Sequence, residues 1–412
     1  MASSSSSLAS ALSQCASSHD GERMAVLLKI RGKVPLPSSS LSSSMGGNAI
    51  MNPRGSGDDG DTLRTIASSN VSATSLLSQG EYAKGFDALA VGFDAFLGWY
   101  GDQTDGWLNP VLRVMSTDLR LAAMLADKMV DKADPLQNVR TKKTVNFFER
   151  SFRAVMAKGR LTPESKKWGA LHVVNTLFKL HFRLSTVRMC STFIRSVNSP
   201  LFPPLDQFAP ADRATYNFYI GKLALMEDDY EEADRALCEA LRILNPAEPS
   251  HNKNRRLILQ HLVPVKMCLG KTPISNYDLG AYARIAQGIE KGDLALFHRA
   301  VQESADYLVG SGLYMLVYKL EEYTLRSLIR NCYIAAGDNK VNLSRLLKSP
   351  TFMAALRASS SGACCLNEAS TEEDAYAVLE CMLANLIYKG LMKGYVSHER
   401  RYLVLSKKDP FP

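Results

Sequence analysis

The sequence predicts an all-α solenoid of TPR-like helical pairs followed by a C-terminal winged helix with a small β-hairpin. Three observations carry that expectation. Apolar residues recur at helical spacing from about residue 76 to 320, with almost no strand signal. The periodic stretches are separated by short turns carrying Pro163, Pro203-Pro204, Pro246, Pro249, Pro273 or Gly292. Near the C-terminus the period changes from helix to strand. Ala375, Val378, Leu379, Met382, Leu383, Leu386 and Ile387 mark one buried helical face, and Gly390 stops it. Residues 394–397 and 402–406 then read as two strands around the polar turn His398-Glu-Arg-Arg401.

Taken in order, residues 1–75 read as a disordered Ser/Gly-rich tail. Ser dominates 3–7, 38–40 and 42–44, and Gly follows between Gly46 and Gly60, so little apolar surface offsets the chain entropy. Met24 to Ile30 is an apolar island able to dock. A Ser-rich, acid-poor start is also that of an organelle transit peptide, but no basic residue precedes Arg23.

Residues 76–310 form the repeat region, with helices at 81–100, 117–130, 143–157, 166–197, 212–225, 230–244, 252–269, 277–289 and 293–308. One hairpin fits the tetratricopeptide pattern: Ile220-Gly221 on the first helix, then Tyr230, Ala233, Leu237 and Ala240 on the second. Gly221 and Ala233 are small where the two helices cross closely. The last 102 residues, 311–412, hold a helix at 313–336 and then the C-terminal module, whose long helix opens on Ser370 and Glu373 as a capping box.

The chain of 412 residues carries a formal charge of +8, and its distribution matters more than its total. Between Arg140 and Arg195 stand thirteen Lys or Arg against Glu149 and Glu164 only. That excess suits an anionic partner, nucleic acid or an acidic peptide, or else a solvated helix face. No apolar run approaches the roughly 18 residues of a membrane-spanning helix. The eight cysteines include no C-x-x-C pair, which argues against a zinc or thioredoxin-like site. There is no G-x-x-x-x-G-K-[ST], no G-x-G-x-x-G after a strand and no H-E-x-x-H. His172 and His181 lie on a crowded helix and read as core-edge residues. Asp58, Asp59 and Asp61 lack the further ligands of a calcium loop. No catalytic residue, metal or cofactor is expected.

Several ordered blocks resemble one family. They are Glu164-Ser-Lys-Lys-Trp-Gly-Ala-Leu171 through Asn175-Thr-Leu-Phe-Lys179, Tyr216-Asn-Phe-Tyr-Ile-Gly221, and His251-Asn-Lys-Asn-Arg-Arg256 through Leu262-Val-Pro-Val-Lys266. Leu383-Ala-Asn-Leu-Ile-Tyr-Lys-Gly390, Lys393-Gly-Tyr-Val-Ser-His398 and the ending Phe411-Pro412 complete the set. From about Arg140 to Pro412 the sequence is similar to the PCI-domain-containing protein 2 family, the PCI subunit of the TREX type-two messenger-RNA export complex. The resemblance implies a PCI module with its first helix at 320–333, a second at 341–347 and a third at 370–389. The loop 358–369 is longer than that fold needs. The resemblance also implies pairing with a large PCI-containing scaffold subunit, a small acidic disordered subunit as second partner, a place at the nuclear pore within the nucleus, and no membrane partner. A different class built on the same module is a structural subunit of a proteasome-lid or signalosome-type complex that does not bind nucleic acid.

Two groups of candidate residues follow. The wing holds Lys389, Lys393, His398, Arg400, Arg401, Lys407 and Lys408 with Glu399 as its lone acid, the pattern expected for contacts to RNA or DNA phosphates. Tyr395 and Tyr402 flank the turn, where they either stack on a base or pack across strands. Lys166, Lys167, Lys179, Arg183, Lys253, Arg255 and Arg256 are candidates for an anionic-partner surface. Lys253, Arg255 and Arg256 stand at a helix start, where cations oppose the macrodipole. Trp168 reads as a core anchor rather than a stacking platform.

Overall fold

Helical periodicity becomes helix wherever an apolar stripe finds a partner to bury it. The computed structural model describes residues 2–30, 59–130, 138–157, 160–271, 280–357 and 371–412. They divide into two units, residues 1–219 and 220–412.

The first unit corrects the expectation of a disordered tail. Helix α1 (Ala2–Ser17), α2 (Gly21–Leu28) and α3 (Asp59–Ser78) are regular elements. Asp20 caps α2, accepting the Arg23 N–H at 2.9 Å. Leu12, Cys15, Met24, Leu28 and Ile30 are buried, so the apolar island does dock. It is also pinned by polar bonds: the Ile30 N–H donates to Asp118 Oδ2 at 2.9 Å, and Asn70 Nδ2 to the Leu28 carbonyl at 2.7 Å. The low apolar fraction misled because the few large side chains are correctly spaced and Ala or Ser fills the rest of each interface. Residues 31–58, which include most of the Ser and Gly runs, lie outside the described residues.

Helix α3 packs on α4 (Tyr82–Asp102), then α5 (Asn109–Lys128) and α6 (Val139–Val155) follow. The buried Asp127 carboxylate accepts the Thr141 N–H at 2.7 Å and the Thr141 hydroxyl at 2.6 Å, tying α5 to the start of α6. The single helix expected over 166–197 is broken. A 3₁₀ turn (Lys166–Gly169) leads into α7 (Ala170–Arg183), the chain turns at Ser185 with φ +57°, and α8 (Cys190–Val197) follows. Helix α9 (Pro210–Met226) carries the chain across the unit boundary.

In the second unit, α10 (Tyr230–Ile243) and α11 (Asn252–Cys268) pack as a pair. A Cβ on Gly221 would lie 2.6 Å from Leu237 Cγ, so the close crossing read from the tetratricopeptide pattern is present. Four short helices follow: α12 (Tyr282–Lys291), α13 (Leu294–Glu303), α14 (Ala305–Ser311) and α15 (Tyr314–Lys319). Ile285, Phe297, Leu308, Val317 and Leu320 fill their core.

The chain closes with α16 (Glu321–Ala336), β1 (Lys340–Asn342), α17 (Leu343–Leu347), α18 (Pro350–Arg357), α19 (Glu372–Tyr388), β2 (Gly394–Ser397) and β3 (Tyr402–Leu405). The strands form one antiparallel sheet in the order β1-β3-β2. Two boundaries differ from expectation. Val341 and Asn342 belong to a third strand, because β3 offers its free edge there, and the helix begins only at Leu343. The capping box is Thr371 with Asp374, one residue later than read: Thr371 Oγ1 accepts the Asp374 N–H and Asp374 accepts the Thr371 N–H. Ser370 and the whole of the long loop 358–369 before it lie outside the described residues.

Candidate nucleic-acid interface

Strand alternation gives the C-terminal sheet two unlike faces. Val341, Leu403 and Leu405 point inward with Val396, onto a core that includes Leu325, Ile329, Leu379, Leu383 and Leu386. The register pairs Lys340 with Val404 and Tyr395 with Val404, and Asn342 and Ser397 with Tyr402. Those six side chains therefore share the outer face. The turn between β2 and β3 is closed by Arg401 at φ +52°, a left-handed position unusual for a long side chain. Its guanidinium lies 5.0 Å over the Tyr376 ring. The final residues are anchored too: Arg326 donates to the carbonyls of Leu391 and Phe411, and the Phe411 ring meets Tyr333 edge-on.

Tertiary structure alters the charge of this hairpin and its flanks. Glu399 is its only acid in sequence, but folding brings others to it. Lys389 pairs with Glu322, Lys393 with Asp409 at 2.8 Å, His398 Nδ1 lies 2.8 Å from Glu380, and Arg401 lies 3.7 Å from Glu373. Exposed pairs of this kind contribute only about 0–1 kcal/mol, so they open readily to a competing anion. Arg400, Lys407 and Lys408 are exposed and have no ion pair among the described residues.

The second group of candidates is largely structural. Lys166 and Lys167 are 8 % exposed and so are not surface residues. Lys166 Nζ donates to the Tyr100 and Gly101 carbonyls at 2.7 and 2.9 Å, satisfying the end of α4. Burial lowers its pKa, while Asp102 and Asp105 act against that shift. Arg255 donates to the Leu244 carbonyl at 2.7 Å, capping α10, which explains a cation at the start of α11. Lys179 is half-buried. Arg183, Lys253 and Arg256 are exposed, the first in one unit and the other two in the second.

No family model matches the chain. Curated relatives do. Enhanced ethylene response protein 5 of Arabidopsis thaliana is 33% identical over 331 residues, covering 79% of this chain and 75% of the relative. PCI domain-containing protein 2 of Xenopus laevis is 30% identical, covering 75% of this chain and 73% of the relative. The chain belongs to the PCI domain-containing protein 2 family. Protein CSN12 homolog of Mycosarcoma maydis, 30% identical over 79% of this chain and 75% of its own, is a further relative.

One cluster in this PCI-family chain gave no sequence signal. In the first unit, Arg113 makes a two-pronged ion pair with Asp212, with Nη1 to Oδ1 at 3.1 Å. His172 Nε2 lies 3.1 Å from Ser116 Oγ, and its Nδ1 lies 3.7 Å from Asp212. Burial would raise the Asp212 carboxyl, but hydrogen bonds from His172 and Arg113 overcome it and hold the pKa at about 2. Ser, His and Asp in this order resemble a hydrolytic triad. Ser116 is, however, completely buried, and Asp212 already serves Arg113, so the cluster acts as an internal tie between α5, α7 and α9. Trp168 packs edge-on to Phe208 and donates to the Thr162 carbonyl at 2.9 Å, but it is half-buried and stands at the edge of the core rather than within it.

Proposed function

We propose that this PCI-family chain is a non-catalytic scaffold and nucleic-acid-binding subunit of a nuclear-pore-associated, transcription-coupled messenger-RNA export complex. In this reading α16 to β3 is a winged helix, and the helical pairs before it are a solenoid that holds it in place. A large PCI-containing scaffold subunit and a small acidic subunit are the partners, and the nucleus is the site of action. The observation that carries the reading is the exposed cation set Arg400, Lys407 and Lys408 beside pairs that open easily at Lys389, Lys393, His398 and Arg401. Phosphate contacts of this kind give salt-dependent affinity with little base readout.

The test is binding of a labelled 20-nucleotide RNA to the full chain by fluorescence anisotropy across a salt series. Reversing Arg400, Lys407 and Lys408 to Glu is expected to weaken binding at least tenfold at low salt. Unchanged affinity in that variant removes the wing as the site. A second reading, a structural subunit of a signalosome-type complex, draws support from the Protein CSN12 homolog relative and from the partial neutralisation of the wing. It predicts no salt-dependent binding by the unmodified chain.

A further inference from the structure

We infer that the outer face of the C-terminal sheet is a stacking platform for single-stranded nucleic acid, with Tyr395 and Tyr402 as its two ring surfaces. The inference rests on the nucleic-acid reading of the wing and specifies which strand state it takes. The platform lies beside the exposed cations and adds a chemistry that phosphate contacts lack.

The register places Tyr395 opposite Val404, and Tyr402 is two residues before Val404 on the same strand. The two tyrosines are therefore diagonal neighbours on one face, about 7 Å apart at Cβ, which is within reach of consecutive splayed bases. Tyr395 is 63 % exposed, so much of the residue is open to a ligand. Neither ring joins the core that the inner face builds. The Tyr402 hydroxyl is held by Asn342 Nδ2 at 3.1 Å, which fixes its ring before any ligand arrives. Preorganisation of that kind reduces the ordering cost of binding.

Charge selects the occupant. Lys340 stands on the same face, Arg400 lies in the turn at one end of the hairpin, and Lys407 and Lys408 follow β3 at the other. None of the six strand residues of the outer face is a carboxylate. The nearby acids are Asp338 before β1, Glu399 in the turn, and Asp409, Glu322, Glu380 and Glu373, which are engaged with Lys393, Lys389, His398 and Arg401. Rings on a face bordered by cations suit a chain of bases joined by phosphates. A duplex hides its base faces in its own stack, so a flat sheet cannot reach them. Single strands expose those faces.

The experiment uses the full chain with three labelled probes read by anisotropy: a 20-nucleotide oligouridylate, the matching oligodeoxythymidylate and a 20-base-pair duplex. Tyr395→Ala is expected to weaken both single strands about five- to hundred-fold, while Tyr395→Phe retains affinity and the duplex is unaffected. Equal losses on RNA and DNA mean stacking without recognition of the 2′-hydroxyl, and a larger RNA loss adds that contact. Both support the platform. Tyr402→Phe removes only the hydroxyl bond to Asn342 and is expected to lower single-strand affinity less than Tyr395→Ala does. If the unmodified chain binds none of the probes, the nucleic-acid reading itself fails. If it binds and Tyr395→Ala matches the unmodified chain, or loses single strand and duplex alike, the platform is overturned and the phosphate reading stands.

Discussion

His261 shows how much of this molecule is decided by environment rather than residue type. It sits on α11, 3 % exposed, with Nδ1 3.0 Å from the Leu257 carbonyl. Burial pulls its pKa down to about 4, the Leu257 carbonyl opposes that shift, and Lys222 adds to it. A base with a depressed folded pKa is neutral in the native state and charged in the unfolded chain below its ordinary pKa near 6.5. Stability is therefore whole above that value and is lost as pH falls through about 4, by an amount on the order of 3 kcal/mol. His261→Gln should flatten part of the loss in urea midpoint between pH 6.5 and 4. His172 and His181, both lowered by burial, keep the remainder. An identical slope in the variant would show that His261 does not titrate in this range. None of this was legible in sequence: a histidine between Gln260 and Leu262 carries no mark of its depth. The same limit hid Asp212 and Arg113, which meet across 99 positions.

At the scale of elements, periodicity was readable and termination was not. Helix α10 and its crossing with Gly221 were visible because small residues must stand where helices touch. The break at Ser185 was not, because Leu184 and Val187 keep the apolar rhythm going through it. Lys166 looked like surface charge because a lysine that caps a distant helix reads the same as a solvated one. The N-terminal helices are the largest difference. Residues 2–30 bury Leu12, Met24, Leu28 and Ile30 and satisfy buried groups on Asp118 and Asn70. The Gly21 backbone lies so close to the Trp107 carbonyl that a Cβ there would collide with it, and His19 meets the Trp107 ring edge-on at 5.0 Å. Deleting residues 2–30 should lower the urea midpoint and shift tryptophan emission to the red, with a loss of several kcal/mol, since each buried large apolar side chain contributes roughly 1.5–3 kcal/mol. Midpoint and emission both unchanged would restore the picture of a passive tail.

Across the whole molecule, charge counted along the chain and charge presented by the fold are different quantities. The thirteen cations between Arg140 and Arg195 suited an anionic partner or else a solvated helix face. Folding disperses them: Arg150 pairs with Asp94, Arg140 lies 3.9 Å from Asp127, and Lys166 and Lys167 are buried. What remains exposed includes Lys142, Lys143, Arg153, Arg183, Arg188 and Arg195. Those six have no ion pair among the described residues, and the C-terminal hairpin, poorer in cations by sequence, keeps three such residues, Arg400, Lys407 and Lys408, on the chain that also carries Tyr395 and Tyr402. Salt dependence can apportion the two regions, because each phosphate contact on a single strand adds about 0.7 to the slope of log affinity against log salt. Changing Arg400, Lys407 and Lys408 to Gln should reduce that slope by about 2. Changing Lys142, Arg153 and Arg183 to Gln should leave it as it was. The opposite pattern would move the nucleic-acid contact to the first unit and leave the wing as a docking surface for a protein.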